Sequence, residues 1–232
     1  MKRMYAIRRT IAVLTLLIVV AIGIAQNPDL YQVEVPSPPA TEKSVNTAVG
    51  ALGELEVKGR ASKTGYSRDQ FGDGWNNVFG CDTRNEILRR DLISTVVNAE
   101  CKVVSGILKD PYTGNTVQFE RGSVSSQAVQ IDHVVALSDA WQKGAQQLSI
   151  LERVSLANDP LELLAVDGAA NQQKSDGDAA TWLPPNRAFR CQYIARQIAV
   201  KKKYRLWVTA AEKDAMLRVL DSCPGQLLPE GA

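Results

Sequence analysis

The spacing of apolar and polar residues predicts helices toward both ends of the chain and short strands in its middle. Apolar residues recur at helical spacing over five segments: 44–58, 83–97, 138–157, 190–204 and 210–221. Short segments rich in β-branched residues predict four strands: 101–108, 116–120, 129–135 and 161–166. A further short helix is expected to begin near Ala169. This mixture indicates an α+β fold, in which a mostly helical shell encloses a small antiparallel sheet.

Turn-forming residues separate these segments. DPYTG (110–114) suits a hairpin turn between the first two strands, and Asn158-Asp159-Pro160 interrupts the chain before the fourth strand. Residues 58–75 are rich in glycine and polar side chains, which predicts a structured loop. Thr209 and Glu212 have the spacing of a capping box at the start of the last helix.

The N-terminal 43 residues differ from the rest of the chain. Residues 1–25 combine four basic residues with an uncharged apolar run over 11–25, which fits a secretory signal cleaved after Ala25. An uncleaved membrane tether through residues 11–25 is the alternative, although this run is short against the roughly 20 residues of a membrane span. Residues 26–43 contain four prolines and predict an extended linker, so the folded domain is expected to cover 44–232.

The net charge excludes a protein that binds nucleic acid through a basic surface as a whole. The whole chain has 27 basic and 25 acidic residues, and residues 1–25 hold four of the basic ones and no acidic one. Without them, 23 basic residues face 25 acidic residues, a net charge of −2. Any binding of a polyanion must therefore use a local patch.

The four cysteines are Cys81, Cys101, Cys191 and Cys223, all of which follow the signal. An even number of cysteines in an exported chain predicts two disulfides. Three pairings are possible, and the shortest loops give Cys81–Cys101 and Cys191–Cys223. Structural zinc is the alternative, but the clustered Cys or His spacing that it requires is absent from the sequence.

His133, the single histidine of the chain, follows Asp132 at the end of a predicted strand. Imidazole, with an ordinary pKa near ~6.5, is suited to act as a base near neutral pH, and a carboxylate suits a hard cation. Neighbouring strand residues point to opposite faces, so the two can serve one ligand only at a strand end or twist. Asn171 follows the next strand and can fold back toward Asp132, which would place a metal beside the histidine.

Two segments of the chain resemble, in their order, the ββα-metal motif of the HNH endonucleases. They are QIDHVVALSDAW (130–141) and NDPLELLAVDGAANQQKSDGDAATW (158–182). They are most similar to an exported bacterial branch related to the C-terminal nuclease domain of the GmrSD restriction enzymes. The resemblance extends from about residue 58 to 223 and includes KTGYSRDQFGDGW, GCDTRNEIL, DPYTG and TWLPPNRAFRCQYIARQIAVKKKY. It implies a ββα-metal unit built into the helical shell.

The resemblance implies a role for each matching residue. His133 corresponds to the general base, Asp132 to the first metal ligand and Asn171 to the second. Glu162 occupies the middle catalytic position, where the family usually has an asparagine that holds the loop positioning the histidine. A carboxylate cannot donate such hydrogen bonds unless it is protonated. A role beside the metal and a reduced activity are therefore both open for Glu162.

Residues 179–211 contain no acidic side chain. They carry the candidate phosphate contacts Arg187, Arg190 and Arg196 among interleaved aromatic residues, a pattern that suits nucleic acid. A solvated helix face with core aromatics is the alternative. Lys174 and, more weakly, Arg84 and Arg68 complete the candidate substrate contacts.

The sequence therefore predicts an exported, monomeric endonuclease with one divalent metal, Mg²⁺ or alternatively Mn²⁺. It would cleave phosphodiester bonds of DNA, or alternatively RNA, with little sequence specificity. The protein would be secreted or held on the outer face of the cell membrane. The alternative is a catalytically weak relative that binds nucleic acid or another polyanion.

Overall fold

The computed structural model describes residues 47–78, 80–122 and 127–229, which contain seven α-helices and seven β-strands. The helices are α1 (Ala48–Glu54), α2 (Thr83–Asp91), α3 (Leu137–Gln142), α4 (Ile150–Ala157), α5 (Gly168–Lys174), α6 (Arg190–Lys203) and α7 (Ala210–Leu220). The strands are β1 (Asn77–Val78), β2 (Cys81–Asp82), β3 (Leu92–Val97), β4 (Val103–Lys109), β5 (Thr116–Glu120), β6 (Val129–His133) and β7 (Leu163–Asp167). Short 3₁₀ helices lie at Arg68–Phe71, Ala145–Gln147 and Arg187–Phe189.

The strands form three small antiparallel sheets, β1–β2, β3–β4–β5 and β6–β7. In the last sheet Val129 pairs with Asp167 and His133 pairs with Leu163. Strand β7 leads directly into α5, and the Asp167 side chain caps the helix by accepting from the Ala170 amide at 2.8 Å. Together β6, β7 and α5 form the expected ββα unit, and the α+β prediction is confirmed.

The β6–β7 sheet lies between two hydrophobic cores. One core is mainly helical and includes Leu164 and Val166 from β7. The other joins α2 to the sheets and includes Leu163 and Ala165, the alternate residues of the same strand. Burial on both faces explains why this strand is a continuous apolar run with no polar alternation. It also places the Asp132 and His133 side chains of β6 in a desolvated environment.

The helix predicted over 83–97 is wrong in its second half. Helix α2 ends at Asp91, and Leu92–Val97 forms strand β3, with Leu92 opposite Leu108 and Ile93 opposite Ile107 of β4. Four of the six β3 residues are β-branched, which favours a strand over a helix. Pairing with β4 therefore outweighs the helical spacing of the apolar residues.

Two other predicted helices are shorter than expected. The segment 138–157 divides into α3 and α4, because Gly144 adopts a φ of 125° and Ser149 starts α4 with a capping box to Glu152. Helix α1 ends at Glu54, and Val57 then pairs in an extended bridge with Val208. The predicted capping box of Thr209 and Glu212 at α7 is confirmed.

Both predicted disulfides are confirmed. Cys81–Cys101 joins β2 to the turn between β3 and β4, and Cys191–Cys223 joins the first turn of α6 to the segment after α7. They span 20 and 32 residues, loop lengths for which chain-entropy models give about 3–4 kcal/mol of stabilisation each.

A cluster of six charged side chains, five of them buried, joins five segments of the helical half. Its members are Arg60, Asp139, Lys143, Asp178, Lys201 and Glu212. The Lys143 ammonium lies 2.8, 2.7 and 2.6 Å from carboxylate oxygens of Asp139, Asp178 and Glu212. Burial alone would lower the pKa of Lys143, but these carboxylates raise it, so the ammonium stays charged. Three cations balance three anions in this cluster.

The predicted signal (1–25) and linker (26–43) lie outside the described residues. Within the described ranges, every helix is too short or too polar to cross a bilayer.

Gly168 fixes the turn from β7 into α5. Its amide donates to the Ala128 carbonyl at 2.9 Å, and a Cβ at this position would lie 2.0 Å from the carbonyl oxygen of Gln127. We expect Gly168→Ala to lower the free energy of unfolding by about 1–3 kcal/mol, because the backbone must move to admit the methyl group. Urea denaturation measures this loss.

Gly53→Ala in α1 is the matched control, since a Cβ there meets no atom within 4 Å. It should be neutral or raise stability by about 0.5 kcal/mol through helix propensity. Equal losses for the two variants would mean that Gly168 does not control this turn.

Candidate active site

His133 ends strand β6 and is only 7 % exposed. Its Nε2 lies 3.0 Å from the carbonyl oxygen of Ala157. A carbonyl oxygen can only accept, so Nε2 carries the proton of the neutral ring. Nδ1 has no hydrogen-bond partner among the residues that the structure describes. The ring is therefore fixed in one tautomer, with its free lone pair on Nδ1.

Burial lowers the pKa of His133 to about 3. The positive charges of Arg68 and Lys174 lower it further, while the contact with Ala157 opposes the shift. At neutral pH the imidazole is therefore uncharged, and Nδ1 carries an unprotonated lone pair.

Asp132 precedes His133 and is also buried, with both carboxylate oxygens hydrogen-bonded. The Lys174 ammonium lies 2.9 Å from Oδ1, and the Tyr112 hydroxyl donates to Oδ2. Burial raises the pKa of Asp132, and Lys174 and Tyr112 oppose this rise. The pKa of Tyr112 is raised well above its ordinary value by burial and by the Asp132 charge, so the phenol remains a donor.

Lys174 lies at the C-terminal end of α5 and is fully buried. Besides Asp132 it donates to the His133 carbonyl oxygen at 2.8 Å. The predicted phosphate contact at Lys174 is replaced in the structure by these internal bonds. The side chain instead fixes the carboxylate and the backbone of the two central residues.

Asn171 lies three residues earlier on the same helix. Its Nδ2 donates to Oε1 of Gln130 at 2.8 Å, which orients the amide, and among the described residues Oδ1 has no hydrogen-bond donor. Asp132, His133 and Asn171 line one cavity of ≈330 Å³. Further lining atoms come from Arg68, Ser138 and Asp176 among others. We call this space the oxygen-lined cavity.

Glu162 is fully buried beside the segment that follows His133. Its Oε2 accepts from the Val135 amide at 3.1 Å, and its backbone carbonyl accepts from Val134 at 2.9 Å. Oε1 has no partner among the described residues. Burial raises the pKa of Glu162 well above its ordinary value, which favours the protonated, neutral form of the carboxyl group. It does not line the oxygen-lined cavity.

The other predicted substrate contacts lie outside that cavity. Arg196 donates to the Leu161 carbonyl at 2.7 Å, Arg190 donates to Pro184 at 2.8 Å, and Arg84 lies 3.5 Å from the Val129 carbonyl. Arg187 is exposed in a 3₁₀ helix. The weaker candidate Arg68, by contrast, lines the cavity.

The aromatic residues of 179–211 belong mainly to the interior. Trp182, Phe189 and Tyr193 surround the buried Tyr112 ring, with centroids 5.0, 6.2 and 5.6 Å away. Sequence reasoning missed Tyr112, which it interpreted only as part of a hairpin turn. The signal was a large aromatic residue in an otherwise polar turn, which Asp110 anchors by accepting from the Thr113 amide at 2.7 Å.

Comparisons with known proteins match most of the chain. A family model described as the C-terminal domain of the GmrSD restriction endonucleases matches residues 82–219, which is 138 of the 232 residues. A protein of Arthroderma benhamiae, described as an uncharacterized secreted protein, is 39 % identical over 192 residues. That alignment covers 82 % of this chain and 90 % of the relative. No solved structure matches the chain.

Removal of the Lys174 charge should destabilise the fold strongly. Lys174→Met leaves the Asp132 carboxylate buried without its cation, and we expect a loss of about 3–5 kcal/mol in unfolding free energy. Lys102→Met is the matched control, because Lys102 pairs with Glu100 at the surface. The control should lose less than about 1 kcal/mol. Similar losses in urea denaturation would contradict a structural role for the buried pair.

The unfolding free energy of Glu162→Gln should increase relative to that of the wild type as pH rises. The unfolded chain releases the Glu162 proton near the ordinary pKa of 4.5, whereas the folded state keeps it until its higher pKa. Above pH 4.5 the wild type therefore loses stability relative to the variant, by at most about 1.4 kcal/mol per pH unit. Urea denaturation from pH 4.5 to pH 8 in EDTA measures the difference. A constant difference would indicate that Glu162 ionises within the fold.

Proposed function

The chain belongs to the family of the C-terminal domain of the GmrSD restriction endonucleases, and from this premise we propose that it is an exported, HNH-type endonuclease. It would hydrolyse phosphodiester bonds of DNA, or alternatively of RNA, with little sequence specificity. The observation that carries this proposal is the free Nδ1 of a neutral, anchored His133 at the wall of an oxygen-lined cavity.

The residues of the cavity fit a divalent cation. Asn171 Oδ1 accepts no hydrogen bond from the described residues, and the Asp132 carboxylate, which accepts from Lys174, Tyr112 and the His133 backbone, has about four acceptor positions in all. Oxygen donors of this kind suit Mg²⁺, and Mn²⁺ is the alternative. Asp132 and Asn171 would hold the ion. When bound, it would neutralise charge on the scissile phosphate and on the leaving oxygen.

His133 would act as the general base. Nδ1 would accept a proton from a water molecule as the water oxygen attacks phosphorus, and the Nε2 bond to Ala157 holds the ring in place. The P–O bond to the leaving oxygen breaks at the same time, and that oxygen takes a proton from solvent. Lys174 and Tyr112 position Asp132, and Lys174 also holds the backbone of His133. Arg68 supplies a positive charge at the cavity wall for the phosphate.

Glu162 would perform the task that an amide performs in the family. In the protonated form that burial favours, the carboxyl group can donate as well as accept, and its Oε2 already accepts from the Val135 amide next to the histidine segment. This favours a working catalyst over a decayed one.

Export is supported by three observations. The N-terminal 25 residues have the pattern of a signal, the chain has two disulfides, and the Arthroderma benhamiae relative is described as secreted. We therefore propose that the protein acts outside the cytoplasm. Its monomeric state stays a prediction from the sequence.

Plasmid cleavage by oxidised 26–232 tests the proposal. With Mg²⁺ or Mn²⁺ the wild type should nick supercoiled DNA, and EDTA should abolish the activity. His133→Ala should lower the rate about 10²–10⁴-fold, because the general base is lost. Gln118→Ala, at an exposed position of β5, is purified in the same way and should match the wild type.

Cleavage that survives EDTA or His133→Ala would overturn the assignment. A protein that binds DNA but leaves it intact under all metal conditions would instead be the non-catalytic polyanion binder.

A further inference from the structure

A second cavity lies on another side of His133. It has a volume of ≈130 Å³ and is lined by Arg68, Phe71, Trp75, His133, Leu137 and Ala157, with Gly72 and Gly74. We call it the Trp75 cavity. Three residues, Arg68, His133 and Leu137, line both this space and the oxygen-lined cavity. A ligand in the Trp75 cavity would therefore be a neighbour of a ligand in the oxygen-lined cavity.

Trp75 gives this cavity an aromatic wall. Its ring lies parallel to the His133 imidazole, with centroids 5.8 Å apart and an interplanar angle of 5°. The side chain packs against the core that contains Ile87 and Leu163 but remains half-buried. No hydrogen-bond acceptor for its indole N–H is found in the described ranges, so this donor is available to a ligand. An aromatic ring and one hydrogen-bond donor thus belong to a single residue that lines this cavity.

The remaining walls combine apolar side chains with polar groups, which include the His133 ring, the Arg68 guanidinium and the backbone at Gly72 and Gly74. Phe71 and Leu137 are buried, and the Ala157 carbonyl is already bonded to His133. The exposed Arg68 provides a planar guanidinium. Planar aromatic ligands, above all nucleobases, stack on tryptophan and on arginine.

The dimensions also suit a single ring system. Pockets for drug-sized molecules have roughly 300–1,000 Å³, more than twice the ≈130 Å³ of this cavity. The wall is closed by backbone at Gly72, where φ is 97° and a Cβ would lie 3.1 Å from Val154. A small pocket with an aromatic wall adjoins a larger polar pocket. This arrangement suits a nucleotide, in which a base is linked through its sugar to a phosphate.

We propose that the Trp75 cavity binds one nucleobase of the substrate next to the phosphate in the oxygen-lined cavity. This inference rests on the proposed function, because it names the form of nucleic acid that the site accepts. A base in a duplex is covered on both faces by its neighbours, so the ligand must be an unstacked base. The preferred substrate is therefore single-stranded or locally opened nucleic acid, with little dependence on base identity.

Binding is measured separately from cleavage, by fluorescence anisotropy in EDTA. The probe is a labelled single-stranded oligodeoxynucleotide, compared with the same backbone carrying abasic residues throughout. The wild type should bind the base-containing strand about 10-fold more tightly than the abasic strand. Trp75→Ala should lose this preference and bind the abasic strand as the wild type does. Trp75→Phe should keep most of the preference, because it retains an aromatic face.

Three results would overturn the proposal. They are equal affinity of the wild type for both strands, an unchanged preference in Trp75→Ala, and an equal loss on both strands in that variant. The last would mean that Trp75 only supports His133. Base-dependent binding by a protein that cleaves nothing would instead reject the nuclease and keep the base site, so the two failures are distinguishable.

Discussion

The site depends on the hydrogen bonds that the buried Lys174 ammonium donates. Desolvation of a charge requires close partners, and Lys174 has two: the Asp132 carboxylate and the His133 carbonyl. Both lie at the end of β6, so the bonds fix α5 against that strand. Asn171 is one helical turn away and is carried into the same cavity. The positions of Asp132, His133 and Asn171 relative to one another thus depend on one internal ion pair.

Much of this architecture could be predicted from the sequence. The order of β6, β7 and α5 is encoded by local signals: a β-branched run, a continuous apolar run, and a capping aspartate. The pairing of the cysteines followed from loop length. Helix α2 was overextended because apolar spacing in LISTVV fits a helix as well as a strand, and only the partner β4 decides between them. Such tertiary competition cannot be seen in a local window.

The side-chain partners were harder to predict than the elements. Lys174 and the arginines at 190 and 196 looked like surface cations, yet their charged groups are bonded to the protein itself. Tyr112 reaches Asp132 from a turn 20 residues earlier in the chain. Contacts of this kind depend on which loops the fold brings together. The division of the space around His133 into a polar and an aromatic cavity has the same origin, because it is set by the loop that carries Arg68 and Trp75.

The six-membered charge cluster has a consequence for the history of the sequence. Because its cations and carboxylates balance one another inside the protein, a single neutral replacement at Lys143 or Glu212 leaves a buried charge without a partner. Exchange of the whole cluster for apolar residues would require several coordinated changes, each harmful when it occurs alone. Because few single substitutions at these positions preserve stability, we expect the residues to persist even where the surrounding surface changes. Amino-acid substitutions in this fold should therefore accumulate around the cluster, while its six charged residues stay the same.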